Sequence, residues 1–264
     1  MLGSVSSAGR WQWVAFGKHP VARDFFRLGP DVAMAGGFSE WVESGYRALA
    51  AKPRSPVDFH SFRFWAKGPG KDGLVLGVVR DSSDDIGRPY PFFTMGVGPL
   101  KAWEEHWDLL PLACEMSWGR IEYLSSGAIQ DFRRMESEVA QRLRPPAPDW
   151  DGMIERRRSM IPLGSGSAAD GSSLDLQEME RRASGLSSGT DLFLDLDSGR
   201  SPDPGSTAAV WNFLLRKCGA ATPSAVFLGG RLGTPYLAVY RRALAPGDFV
   251  RLWTGSGCDR GTAP

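Results

Sequence analysis

FRFWAKGPGKDGLVLGVVR, residues Phe62 to Arg80, decides the class of fold. Its two apolar runs, FRFWA (Phe62 to Ala66) and LVLGVVR (Leu74 to Arg80), have strand length and are rich in aromatic and β-branched residues, and GPGKDG between them reads as a hairpin turn. Upstream, WQWVAF (Trp11 to Phe16) reads as another strand; downstream, YPFFTMGV (Tyr90 to Val97) reads as the next, with Pro91 tolerable near its start. Between the first two strands, Phe38, Trp41, Val42, Gly45, Tyr46 and Leu49 recur at spacings of three and four. That spacing predicts a helix with one apolar stripe, Glu40, Glu43 and Arg47 lying on the other side.

Farther along, Trp103, Trp107, Leu110, Cys114 and Trp118 keep helical spacing, broken or restarted at Pro111. Ser126 is the expected cap of a further helix burying Ile129, Phe132, Met135, Val139 and Leu143, which Pro145 and Pro146 end. From about 145 to 190 the sequence turns Gly/Ser-rich, which predicts a flexible, exposed insertion with a short helix around Leu176 to Arg182. DLFLDL (Asp191 to Leu196), a helix over Ala208 to Lys217, and strands at Ala225 to Leu228 and Tyr236 to Tyr240 complete the pattern, with a frayed tail after Trp253. The expected fold is α/β: one mixed β-sheet built from both ends of the chain, with helices on both faces, as a single domain over 1–264.

Composition narrows the functions. The 264 residues are 42% hydrophobic and 23% charged, and 31 basic against 30 acidic residues leave a net charge of +1. Such a balance supplies no global field for nucleic acid or an anionic membrane surface. Three cysteines, Cys114, Cys218 and Cys258, fit neither a disulfide framework nor a structural zinc site, and no run suggests a signal peptide or membrane span. A cytoplasmic protein without metal or cofactor is expected. His19, His60 and His106 lie in separate segments, no G-x-S-x-G surrounds a serine, and Ser165 and Ser167 fall in the insertion. Asp191, Asp195 and Asp197 read as a solvated face in preference to a cation site.

Two motifs stand apart: FGKHPVARDFF (Phe16 to Phe26) and DDIGRPYPFF (Asp84 to Phe93). Each joins strand-like sequence to a tight corner bearing an arginine. Arg23, Asp24, Asp84 and Arg88 are therefore the candidate residues, either clamping loops to the sheet or presenting guanidinium forks to an acidic partner. A different reading builds a cryptic hydrolase or phosphotransfer site from Asp84, Asp85, His19 and Arg88.

The pattern G-K-x-P-x-x-x-D-F at Gly17 to Phe25, the helix with Trp41, F-R-F at Phe62 to Phe64 and S-x-D-x-I-G-R-x-Y-P at Ser82 to Pro91 resembles the TagF (ImpM) family of type VI secretion-associated proteins. The resemblance is close over roughly Trp13 to Val97. This chain departs from it with Arg23 in place of a second glycine and Phe92 in place of a leucine. The resemblance implies an α/β three-layer sandwich and a cytoplasmic, non-enzymatic regulator. Such a protein acts as a post-translational repressor that binds an apparatus component such as the forkhead-associated scaffold protein; a positive assembly factor is the alternative of opposite sign. Some members of the family are fused to a phosphatase domain, for which the expected single domain leaves no room.

Overall fold

The computed structural model of the protein describes residues 10–50, 59–160, 176–196, 203–231 and 233–255. The hairpin over 60–80 is present as β3 (His60–Lys67) and β4 (Gly73–Arg80), closed by the Gly68 amide on the Gly73 carbonyl at 2.9 Å. Around it lie β1 (Gln12–Gly17), β2 (Phe26–Leu28), β5 (Phe92–Pro99), β6 (Asp191–Asp195), β7 (Ala225–Arg231) and β8 (Thr234–Tyr240). They form one eight-stranded sheet in the order β2-β1-β5-β4-β3-β7-β8-β6. The amino- and carboxy-terminal strands meet where β3 pairs β7, from His60 opposite Arg231 to Ala66 opposite Ala225.

Every pairing is antiparallel, so the sheet is not mixed as expected. Parallel neighbours need a crossover connection. Here the helical segments join strands that are not neighbours: β6 and β7 flank β8 and do not pair with each other.

Strand alternation divides the core into two layers. On one face Phe62, Phe64, Val75, Phe93, Phe227 and Tyr240 meet α1 (Ala33–Ala50) and α8 (Pro246–Thr254). On the other, Trp65, Leu76, Val78, Phe92, Val226 and Leu237 meet a helical layer. That layer comprises two 3-10 turns (Trp103–Glu105 and Trp107–Leu109), α2 (Leu110–Ala113), α3 (Glu115–Ser125), α4 (Phe132–Gln141), α5 (Trp150–Met160), α6 (Leu176–Leu186) and α7 (Pro204–Lys217). The result is the expected α/β three-layer sandwich.

Three expectations need correction. Asp131, not Ser126, caps α4: its carboxylate accepts from the Arg133 amide at 2.7 Å, whereas the Ser126 amide closes the end of α3 on the Glu122 carbonyl. Residues 150–160, assigned to the exposed insertion, form α5, whose Arg157 is buried against Asp108 with its guanidinium 4.1 Å from the Phe213 ring. The short helix within that insertion is found, as α6. Asp191 is not merely solvated, since it pairs Arg242 at 2.7 Å and Arg251 at 3.0 Å. Asp197, Ser165, Ser167, Cys258 and the tail beyond 255 lie outside the described residues.

Candidate functional site

Both motifs fall at one end of the sheet. Gly17 closes β1 with φ +124°, and a Cβ there would stand 2.2 Å from the Pro91 carbonyl, so only glycine lets the strand pass β5. Alternation then sends the next two side chains opposite ways, Lys18 toward Asp84 and His19 toward the end of α3.

The second motif folds into a miniature hairpin. Tyr90 donates its amide to the Ser82 carbonyl at 3.0 Å, Ser83 and Pro89 form an isolated bridge, and the Gly87 amide reaches the Asp84 carbonyl at 3.0 Å. Gly87 supplies the left-handed φ of +84° that this turn requires, leaving Ile86 at the apex with 67% of its surface exposed. The Tyr46 hydroxyl on α1 ties the base down through the Pro89 carbonyl at 3.1 Å.

Asp84 organises the hairpin from within. It is buried, and its carboxylate accepts from the Arg88 amide at 2.8 Å and Arg88 Nε at 2.7 Å, with Lys18 Nζ at 3.0 Å. Burial opposes the ionised carboxyl, but the Arg88 amide, Lys18 and the Arg88 guanidinium outweigh it and hold the pKa down at about 2. Arg88 also donates to the Arg23 carbonyl at 2.5 Å, and the Asp85 amide to the Ala22 carbonyl at 3.1 Å. The two motifs are thus fastened together along their backbones.

Arg23 and Asp24 do little of that fastening. The Arg23 side chain is 92% exposed and meets Asp85 at 3.5 Å, while the Asp24 carboxylate stands 4.0 Å from Arg88. No Arg23 to Asp24 ion pair is present among the described residues. Phe25 packs edge-on to Tyr90 at 4.5 Å with Lys18 over its ring at 5.0 Å, yet stays 47% exposed. Arg23, Phe25 and Ile86 accordingly project from a rigid base.

The four groups of the cryptic-enzyme reading are not assembled for acid–base work. His19 is fully buried; its Nδ1 accepts from the Val21 amide at 3.3 Å, which leaves the Nε2 proton for the Ser126 carbonyl at 3.1 Å. Burial lowers its pKa, so the ring is neutral with both nitrogens engaged. Asp84 stays ionised between two cations. No group of histidine, cysteine and acidic side chains suited to a metal occurs among the described residues.

Sequence reasoning missed two contributors. Lys18 lies inside the first motif, and its position one residue beyond a strand-ending glycine was the available signal. Ile86 needed the hairpin, because only the 82–90 and 84–88 pairings place it at an apex.

Residues 14–142 match the model of the TagF N-terminal domain, type VI secretion system-associated. The matched segment runs from β1 through α4 and contains both motifs. In three dimensions the chain is similar to the crystal structure of PA0076 from Pseudomonas aeruginosa PAO1, with a TM-score of 0.54 and 17% identity over 97% of this chain and 99% of that one. That likeness concerns the fold. No curated protein matches the sequence. The motifs and the family model converge on one assignment: residues 14–142 of this chain are a TagF N-terminal domain, associated with the type VI secretion system.

Proposed function

We propose that this protein is a non-enzymatic, cytoplasmic regulator of type VI secretion. It represses the apparatus after translation by binding one of its components, for which the forkhead-associated scaffold protein is the first candidate. The whole chain acts as one unit, because β6 to β8 complete the sheet begun by the family domain. The observation that carries the reading is the pairing of a secretion-associated domain with a projecting tip whose chemistry suits protein contact. Arg23, Phe25 and Ile86 offer apolar area and a charged fork on a base that is ordered before binding, which lowers the entropy cost of association. Asp84, Arg88 and Lys18 serve the base and not the contact. The neutral, internally bonded His19 supports the non-enzymatic reading.

Affinity purification of the full chain, wild type against Ile86→Asp and Arg23→Glu, tests it. The expected outcome is that secretion-apparatus proteins accompany the wild type and are lost from both variants, while the variants melt within about 1–2 °C of wild type, as surface changes do. Recovery of the same apparatus proteins with all three proteins would remove the tip from the interface.

A further inference from the structure

At the end of the sheet away from the tip, the floor beneath α1 steps down. Phe64 lies opposite Phe227, their rings stacked with centroids 5.6 Å apart, but the next pair on the same face is Ala66 opposite Ala225, with Val75 beside Ala66 on β4. Above this step α1 carries Gly37, which has nothing within 4 Å of a built Cβ. Gly37 stands two turns before Gly45, the residue packed against Phe249 of α8, so a side chain at 37 would point the same way, over the floor. Small residues below and a missing side chain above leave a cavity of about 470 Å³. Protein interiors are otherwise packed with few voids larger than a water molecule.

The walls stand ready. Phe38 stacks on Phe64 with centroids 4.7 Å apart, and Trp41 is fixed by its indole donating to the Ala245 carbonyl at 2.9 Å. Partly buried Met34 and Leu244 close the sides. The charged residues at the rim are engaged elsewhere. Arg242 donates to Asp191 and Asp248, and alternation turns the Lys67 side chain to the other face of the sheet, where it meets Glu104 at 3.2 Å. The Ser224 amide and carbonyl are taken by the Tyr240 carbonyl and the Lys67 amide, at 2.7 and 2.9 Å.

The geometry points to a binding site for an uncharged, largely apolar small molecule, held between α1 and the segment leading into α8. The volume lies in the range of small-molecule sites, and two fixed aromatic walls over an aliphatic floor favour a ring or an alkyl chain. A charged head would lose its water against partners that already hold other ions, so a neutral ligand is favoured over an anion of the same length. The site is separate from the tip and independent of the secretion reading, since the tip stands where Arg80 lies opposite Phe92, at the far end of β4 from Val75.

The neutral dye N-phenylnaphthylamine, whose fluorescence rises in apolar surroundings, serves as the probe on the full chain. A saturable rise fitting a single site is expected, with a higher melting temperature in the dye's presence, because a ligand that binds only the folded state stabilises it. Gly37→Leu fills the cavity from the helix and Ala243→Leu from the opposite rim; each is expected to weaken the dye by about tenfold or more, the cost of forcing methylenes into an occupied space. Gly36→Ala, whose Cβ enters a different recess of α1, should bind the dye as wild type does. Octanol is expected to displace the dye at lower concentration than octanoate. No saturable rise, undiminished binding by both filled variants, or stronger displacement by octanoate would each overturn the site. So would a dimer that the dye dissociates in sedimentation velocity, which would give the cavity to a second copy of the chain.

Discussion

A carboxylate buried at the base of a loop keeps its charge only when cations pair with it, and Asp84 has the buried Lys18 and the half-exposed Arg88. Removing the carboxylate leaves Lys18 inside the protein with its pairing gone, so Asp84→Ala is expected to lower the melting temperature and to raise amide exchange across 82–90. Arg88→Gln, which keeps the amide bond to Asp84 and loses the guanidinium, is expected to show the same change more weakly. Because the folded pKa of about 2 lies below the ordinary 3.8, this site stabilises the fold above pH 4 and loses that contribution as pH falls toward 2. Asp84→Asn should flatten that part of the acid-unfolding profile; an unchanged slope between pH 4 and 2 would count against the network. The arginines and acids of both motifs were legible in the sequence as chemistry. Their division of labour was not, since hydrogen bonds to Asp84 and the Arg23 carbonyl make Arg88 the residue that closes the loop while the Arg23 side chain faces outward, and those partners are set only in the folded chain.

Among the elements, α1 and α8 lie side by side on the sheet, joined by Trp41 Nε1 on the Ala245 carbonyl at 2.9 Å. Gly45 is the point of closest approach: a Cβ there would stand 2.2 Å from Cβ of Phe249. Gly45→Val is therefore expected to destabilise by about 1–3 kcal/mol through overpacking. Gly36, on the same helix, has nothing within 4 Å of a built Cβ, so Gly36→Ala should stabilise by about 0.5–1 kcal/mol, both changes being read by denaturant unfolding. Most elements were readable because their periodicity is strong, as in α1 and the β3–β4 hairpin. Two helices escaped. In α8 the signals were local, Pro246 in the first turn and the Asp248 carboxylate accepting from the Ala245 amide at 2.7 Å. In α5 the run Arg156 to Arg158 looked solvated, and only the position of Asp108, 49 residues earlier, explains why Arg157 turns inward.

At the scale of the molecule, the family model ends at residue 142 while the sheet continues through β7, β8 and β6. A fragment of residues 1–142 would expose the β3 edge from His60 to Ala66 and strip Phe227 from Phe64 and Trp41. It is expected to aggregate or to unfold without a cooperative transition, whereas the full chain unfolds cooperatively. This single sheet assembled from distant segments also builds the candidate site: β1, β4 and β5 bring both motifs to one end of the sheet, which no local pattern announces.

The central claim is that the tip formed by Arg23, Phe25 and Ile86 restrains type VI secretion. Secretion by a strain deleted for this gene, complemented with wild type or with the Arg23→Glu, Ile86→Asp double variant at equal abundance, measures it directly. Restored repression with wild type and none with the double variant is the predicted result; equal repression by both, or a fall in secretion on deletion, would contradict it.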